Sequence, residues 1–215
     1  MAQIFPKWAN EIPGRIALGL IIIVTALIAG IWYYFSPEYT DVGYAPTQPI
    51  EYSHKIHAGQ LGLDCQYCHT SVDKSKQANV PPTQTCMNCH GQIDSQKPEE
   101  IQKIRDSWKS GESIEWVRVH NLPDYAYFNH SIHVNVGVGC ETCHGRIDKM
   151  DVVYQKEPLS MSWCLDCHRN PEKYVRPVEE VTTMGYVADD QIEMGRDLVA
   201  KHNINPPTYC QGCHY

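Results

Sequence analysis

The chain has 215 residues, a formal net charge of -7 at pH 7 and ten cysteines, a cysteine content too low for a small disulfide scaffold. Its acidic balance and pI near 5.8 argue against nucleic acid as a partner. The 13 Tyr and 5 Trp argue against a disordered chain.

The N-terminal region predicts a membrane anchor. Residues 16–35 contain no charged side chain, and a helix of this length spans about 30 Å, the thickness of the hydrocarbon core of a bilayer. The aromatic residues Trp32–Tyr34 end the run, and Lys7 and Arg15 precede it, which predicts a cytoplasmic N-terminus at residues 1–15. A cleaved signal peptide is the alternative, but its apolar run would be shorter and would end in small residues.

Five copies of the motif Cys-x-x-Cys-His follow the predicted span. Residues 36–51 contain several prolines and predict a linker, and residues 52–215 contain all five motifs. We number the motifs sites 1 to 5 in chain order. They are Cys65, Cys68 and His69; Cys86, Cys89 and His90; Cys140, Cys143 and His144; Cys164, Cys167 and His168; and Cys210, Cys213 and His214.

This motif is the attachment signature of c-type haem. Two thiols three positions apart can bond to one porphyrin edge, and the following histidine then lies at the iron as the proximal ligand. A zinc site, a thioredoxin-like motif and a disulfide framework each leave the five histidines unexplained. The sequence therefore predicts five covalently bound haems. It also predicts that these residues lie outside the bacterial cytoplasm, where such attachment takes place.

An internal repeat precedes sites 1 and 3. Both copies read aromatic-x-His-x-Ile-His: Tyr52, His54 and His57 in the first, and Phe128, His130 and His133 in the second. The first histidine precedes the first cysteine by 11 residues in one copy (65 − 54) and by 10 in the other (140 − 130). We therefore predict a first module at about residues 52–95, a second module at about 128–172, and a single C-terminal haem at about 202–215.

Regular structure is expected to be sparse. Residues 98–110 predict a helix that Gly111 ends, residues 189–202 predict a second helix, and the alternating residues 114–120 predict a strand. In the rest of the chain, apolar side chains would pack on porphyrin instead of on each other. The predicted fold class is mainly α with much irregular structure: a multihaem cytochrome c wrapped around five haems, plus one N-terminal transmembrane helix.

The remaining histidines are candidates for the sixth iron ligand, which a low-spin haem requires. The simplest ligand assignment places two histidines on each iron: His54 with His69, His57 with His90, His130 with His144, and His133 with His168. Site 5 then needs a ligand for the iron opposite His214. The candidates are His120, His202, Met161, Met184 and Met194.

Two longer stretches carry a family resemblance. The histidine units resemble those of class III multihaem cytochromes. Residues 119–130 (VHNLPDYAYFNH) and 159–171 (LSMSWCLDCHRNP) resemble the pentahaem membrane-anchored cytochrome c subunits of bacterial alternative complex III. The resemblance implies a quinol-oxidising respiratory complex in the inner membrane, with the haem domain in the periplasm. It also implies three kinds of partner: an iron–sulfur subunit, a monohaem cytochrome c and polytopic quinol-binding subunits.

The leading hypothesis is thus an electron-transfer subunit with no catalytic site of its own. Electrons would leave towards a cytochrome c subunit, a soluble carrier or a terminal oxidase. One alternative is a stand-alone membrane-anchored quinol dehydrogenase. Another is a multihaem nitrite- or hydroxylamine-converting enzyme, which would need an iron with an open coordination position.

Overall fold

The computed structural model describes residues 4–214, and this part of the chain is helical and irregular, with no strand. One isolated bridge joins Val138 and Val175. The helices are α1 (Ile12–Tyr34), α2 (Pro37–Thr40), α3 (Cys65–Cys68), α4 (Thr83–His90), α5 (Pro98–Ser110), α6 (His130–Asn135), α7 (Cys140–His144), α8 (Met161–Arg169) and α9 (Gln191–His202). The predicted fold class, mainly α with much irregular structure, is confirmed.

Two compact units make up the chain, and the first ends at Asp41. Its main element is α1, which follows a 3-10 turn at Lys7–Glu11 and contains no buried residue. Pro13 lies at the start of α1, where its missing N–H costs no hydrogen bond. The continuous helical segment Lys7–Tyr34 is long and apolar enough to cross a bilayer, and a signal sequence shares those properties.

The second unit begins at Val42 and has very little side-chain core. Only eight hydrophobic side chains are buried among residues 4–214. Three of them, Ile50, Ile101 and Ile104, form one cluster with α4 and α5, and Val72, Val134 and Val181 form another. Clusters this small leave much of the interior surface of the unit to be covered by something other than protein side chains.

Two of the three predicted elements are present. The helix α5 has the predicted bounds, with its acidic side chains in the first turn, and it ends at Gly111, whose φ of 77° is left-handed. The helix α9 begins two residues later than predicted because Asp190 caps it by accepting hydrogen bonds from the N–H groups of Ile192 and Glu193.

The strand predicted at residues 114–120 was wrong. The segment has no regular secondary structure, and within it the Trp116 N–H donates to the Ile114 carbonyl at 3.1 Å. Instead, the side-chain amide of Gln48 donates to the Val117 carbonyl at 2.9 Å and accepts from the Val117 N–H at 3.0 Å. Two alternating apolar residues of the segment, Ile114 and Trp116, pack on the first cluster. The alternation therefore arises because one side of the segment is buried. The Gln48 side chain makes the backbone hydrogen bonds that a neighbouring strand would otherwise make.

Candidate haem-binding sites

Each Cys-x-x-Cys-His motif lies on a short helical turn. Sites 1 and 3 coincide with α3 and α7, site 2 ends α4, site 4 lies in α8, and site 5 forms the 3-10 turn Cys210–Gly212. In a helical turn, positions i, i+3 and i+4 share one side. The local fold therefore directs both thiols and the histidine of a motif to the same side, as attachment to one porphyrin requires. None of the ten cysteines is in a disulfide bond.

The repeated aromatic unit has the same geometry in both modules. The Tyr52 ring is edge-on to His54, with centroids 4.8 Å apart, and stacked on His57 at 4.4 Å. The Phe128 ring is edge-on to the first histidine of its module at 4.7 Å and stacked on the second at 4.5 Å. The aromatic residue thus fixes both imidazoles of each unit and holds them in different orientations.

Three pairs of histidine rings are separated by a distance that fits one iron between them. The ring centroids are 6.1 Å apart for His57 and His90, 6.5 Å for His130 and His144, and 6.2 Å for His133 and His168. A metal–imidazole bond is about 2 Å long and the ring centre lies about 1 Å further away, so two opposed ligands have centres about 6 Å apart. The structure thus brings together three of the four histidine pairs in the simplest ligand assignment.

The hydrogen bonds of the histidines leave Nε2 free for a metal. In seven of them Nδ1 lies 2.6–3.0 Å from a backbone carbonyl oxygen, to which it donates. This contact selects the tautomer with the lone pair on Nε2 and orients the ring. The seven are His57, His69, His90, His130, His133, His168 and His214.

Burial keeps the central histidines neutral. It lowers the pKa of His54 to about 4, and the nearby His69 and His57 lower that pKa further. Burial lowers the pKa of His144 to about 3, with added contributions from His120 and His130. The buried Nδ1 of His54 has no hydrogen-bond partner. Neutral imidazole is the form that ligates iron, so these electrostatics suit the predicted ligand role.

The structure places His120 against site 3. Its ring centroid lies 4.4 Å from that of His144, and its buried Nε2 has no hydrogen-bond partner. Of the other candidates for site 5, His202 is exposed at the end of α9 and Met161 is 67% exposed. The Tyr186 hydroxyl donates to the Met194 sulfur at 3.3 Å. The sixth ligand of site 5 therefore stays a prediction.

Sequence reasoning missed an ion pair that fixes site 3. Arg176 is only 8% exposed, and its guanidinium donates to the Glu141 carboxylate at 3.0 Å and to the Thr183 carbonyl at 3.1 Å. Glu141 lies inside the third motif, and its second oxygen accepts from the N–H of Gly185. The partners lie 35 residues apart in the chain, so no local pattern could have indicated the pair.

Two family models match successive parts of the chain. Residues 56–121 match cytochrome c3, and residues 126–215 match cytochrome c7 and related cytochromes c. The chain belongs to the multihaem cytochromes c. Covalently bound c-type haem is the cofactor of these families, and the cysteine pairs on helical turns, the histidine tautomers and the paired rings of this cytochrome all fit it.

Two curated relatives are similar to parts of the chain. The cytochrome is 28% identical over 168 residues to the multiheme cytochrome c subunit of a menaquinone reductase from Nitratidesulfovibrio vulgaris; the alignment covers 69% of this chain and 78% of the relative. It is 31% identical over 121 residues to the cytochrome c-type protein NrfB from Escherichia coli O6:H1. That alignment covers 49% of this chain and 63% of NrfB, which is less than two thirds of its length.

Proposed function

We propose that this cytochrome is the electron-transfer subunit of a membrane-bound quinol-oxidising complex similar to alternative complex III, and that it binds five c-type haems. The observation that carries the proposal is the set of three histidine pairs about one iron's width apart, in two modules of matching geometry. Haem supplies reversible one-electron chemistry when bound. The chain supplies thiols for attachment and two imidazoles for each of these three irons.

An imidazole on each side of the iron suits electron transfer better than substrate chemistry. If His130 and His144 held one haem iron between them, for example, that iron would have no coordination position left for nitrite or hydroxylamine. We therefore propose that the chain has no catalytic site of its own. The quinol would lose its two electrons and release its two protons at another subunit, and this cytochrome would accept the electrons singly.

The helix Lys7–Tyr34 supports a single-pass anchor in the inner membrane. Lys7 and Arg15 at its start favour a cytoplasmic N-terminus, which would place the haem domain in the periplasm. The proposed partners are an iron–sulfur subunit, a monohaem cytochrome c and polytopic quinol-binding subunits. The electrons would pass on to a cytochrome c subunit, a soluble carrier or a terminal oxidase.

The opposite direction of electron flow is the second candidate. The relative from N. vulgaris is named as a subunit of a menaquinone reductase, and a chain of haems conducts in either direction. In that case the cytochrome would accept electrons from a periplasmic donor and pass them to a subunit that reduces quinone.

Purification from native membranes tests the proposal. We expect the cytochrome to co-purify with quinol-binding subunits, to contain five haems per chain, and to be reduced by a quinol analogue only in their presence. Reduction of the isolated chain by quinol would instead support a stand-alone dehydrogenase. Rapid binding of carbon monoxide or nitrite to a high-spin haem would overturn the electron-transfer assignment.

A further inference from the structure

The two modules contact each other through equivalent residues. The N–H of Lys55, one residue after the first histidine of its module, donates to the Met150 carbonyl at 3.0 Å. The N–H of Ser131, at the same position of the second module, donates to the Ser75 carbonyl at 3.1 Å. Both acceptors lie ten residues after the first cysteine of the opposite module (150 − 140 and 75 − 65). Such reciprocal pairing is typical of an interface with two-fold symmetry.

A second set of equivalent contacts lies one helical turn further along. The amide of Asn135 donates to the Asp73 carbonyl at 2.9 Å. Gly59 occupies the equivalent position in the first module, where the carbonyl oxygen of Asp148 approaches so closely that a Cβ would overlap it. The histidine turn of each module therefore packs on the segment that follows the first motif of the other module.

This arrangement brings sites 1 and 3 together at its centre. Cys65 and Cys140 are equivalent residues, the first cysteines of their modules, and their side chains are close neighbours. Val72 and Val134 pack in one cluster beside this junction. The attachment edge of site 1 consequently faces that of site 3, although site 2 lies between them in the sequence.

The other sites extend outward from this junction. Site 2 adjoins site 1, since the amide of Asn88 in the second motif donates to the Tyr67 hydroxyl in the first at 3.0 Å. Site 4 adjoins site 3 because their predicted distal ligands His130 and His133 both lie on α6, with the Phe128 ring edge-on to the first and stacked on the second. Each module therefore pairs an inner site with an outer one.

Site 5 adjoins site 4 at the far end of the second module. His168 of site 4 donates from Nδ1 to the carbonyl of Pro207 at 2.6 Å, three residues before Cys210. Exposure of the thiols agrees with this order. Cys89 of site 2 and Cys210 of site 5 are exposed, whereas the other eight cysteines are partly buried.

We propose that the attachment sites follow one another in space in the order 2–1–3–4–5, so that sites 2 and 5 are the two ends at which electrons enter and leave. The inference rests on the proposed electron-transfer function and adds to it a path and two terminal surfaces. One electron at a time would pass from the iron of one site to the oxidised iron of the next. The Cys65–Cys140 contact is then the crossing between the modules.

Electron injection at site 2 tests this order in the full-length, haem-loaded cytochrome. A ruthenium photoreductant would be attached to Ile93→Cys, because Ile93 is 59% exposed and its carbonyl accepts from His90 of site 2. A second substitution would raise the potential of one iron and mark its spectrum: His54→Met at site 1 or, as the matched variant, His130→Met at site 3. Haem content is measured first in each protein.

We expect the flash-injected electron to reach site 1 in the His54→Met protein several-fold sooner than it reaches site 3 in the His130→Met protein. Equal arrival times, or earlier arrival at site 3, would overturn the proposed order and leave the proposed function intact. If the electron stays at site 2 in both five-haem proteins, the electron-transfer function itself fails.

The unsubstituted holoprotein answers the same question if a methionine variant loses its haem. Iron-edge anomalous diffraction locates the five irons, and the attached cysteines identify them. The iron of site 3 should lie nearer to that of site 1 than to that of site 2. The reverse result would refute the proposed order.

Discussion

The aromatic–histidine units of the two modules can be compared ring by ring. Tyr52 and Phe128 stack on the second histidine of their modules at 4.4 and 4.5 Å, and both second histidines donate from Nδ1 to the carbonyl four residues earlier. The first histidines differ. His130 donates to the Lys76 carbonyl of the other module at 3.0 Å, whereas the Nδ1 of His54 is buried without a partner.

The anchoring of the two modules differs as well. In the second module Asn129 caps α6, and the buried pair of Arg176 and Glu141 holds the third motif. In the first module the histidine turn is a π-helical segment, Lys55–Gln60, at whose start Ser53 accepts one 3.3 Å hydrogen bond from the Ile56 N–H, and Gln66 replaces the glutamate at the equivalent position of the motif. The two modules therefore hold the same arrangement of aromatic and histidine rings through different supporting contacts. The second module is the more rigidly held.

Removal of the buried arginine should have the largest effect. Arg176→Ala removes the closer of the two arginines that pair with Glu141, at 3.0 Å against 3.8 Å for Arg146, which should lower the free energy of unfolding by about 3 kcal/mol. Lys55→Ala in the first module breaks a pair with Asp151 whose side chains are 47% and 59% exposed, and should cost no more than about 1 kcal/mol. Denaturant titration of both holoproteins measures the difference. Equal losses would contradict the view that the second module is held by a buried pair.

Overpacking of the junction should have the next largest effect. In Gly59→Ala the new methyl group overlaps the Asp148 carbonyl, and we expect a loss of about 1–3 kcal/mol. Gln60→Ala is the control because it changes an exposed side chain on the same turn. Thermal unfolding followed by haem absorbance compares the two variants. If Gly59→Ala is as stable as the control, the close approach of the modules at this point is wrong.

Loss of the α6 cap should have a smaller effect. Asn129 accepts hydrogen bonds from both the N–H and the hydroxyl of Ser131, so Asn129→Ala should lower the free energy of unfolding by about 1 kcal/mol. The matched change Ser53→Ala removes only a 3.3 Å contact with the Ile56 N–H and an exposed bond to Asp151. It should cost less in the same denaturant titration. A larger loss for Ser53→Ala would reverse the ranking of the two modules.

The smallest expected difference is spectroscopic. The ring planes of His130 and His144 are 11° apart, whereas those of His57 and His90 are 63° apart. Near-parallel imidazoles give a rhombic low-spin EPR spectrum, and strongly inclined ones give a more anisotropic signal. Low-temperature EPR should therefore lose the rhombic component in His130→Met and a more anisotropic component in His57→Met. Loss of the same signal from both variants would show that the two irons have the same ligand geometry.

The sequence by itself determined the local chemistry. The spacing of the cysteines and the histidine after each pair identified the attachment sites, because one helical turn places these three residues on the same side. The aromatic-x-His-x-Ile-His repeat identified the modules, since its stacked rings lie within six residues of one another. The helix α5 was predictable for the same reason: its cap, its first turn and its buried face are all local.

Only the tertiary structure decided how these pieces meet. The carbonyls that select the histidine tautomers, such as Lys76 for His130 and Pro207 for His168, lie 54 and 39 residues away. Every residue has a carbonyl, so the sequence marks none of them. The Cys65–Cys140 contact likewise follows from the packing of one module on the other. Spacing along the chain fixes which groups can share a turn, whereas the order of sites in space depends on contacts between distant segments.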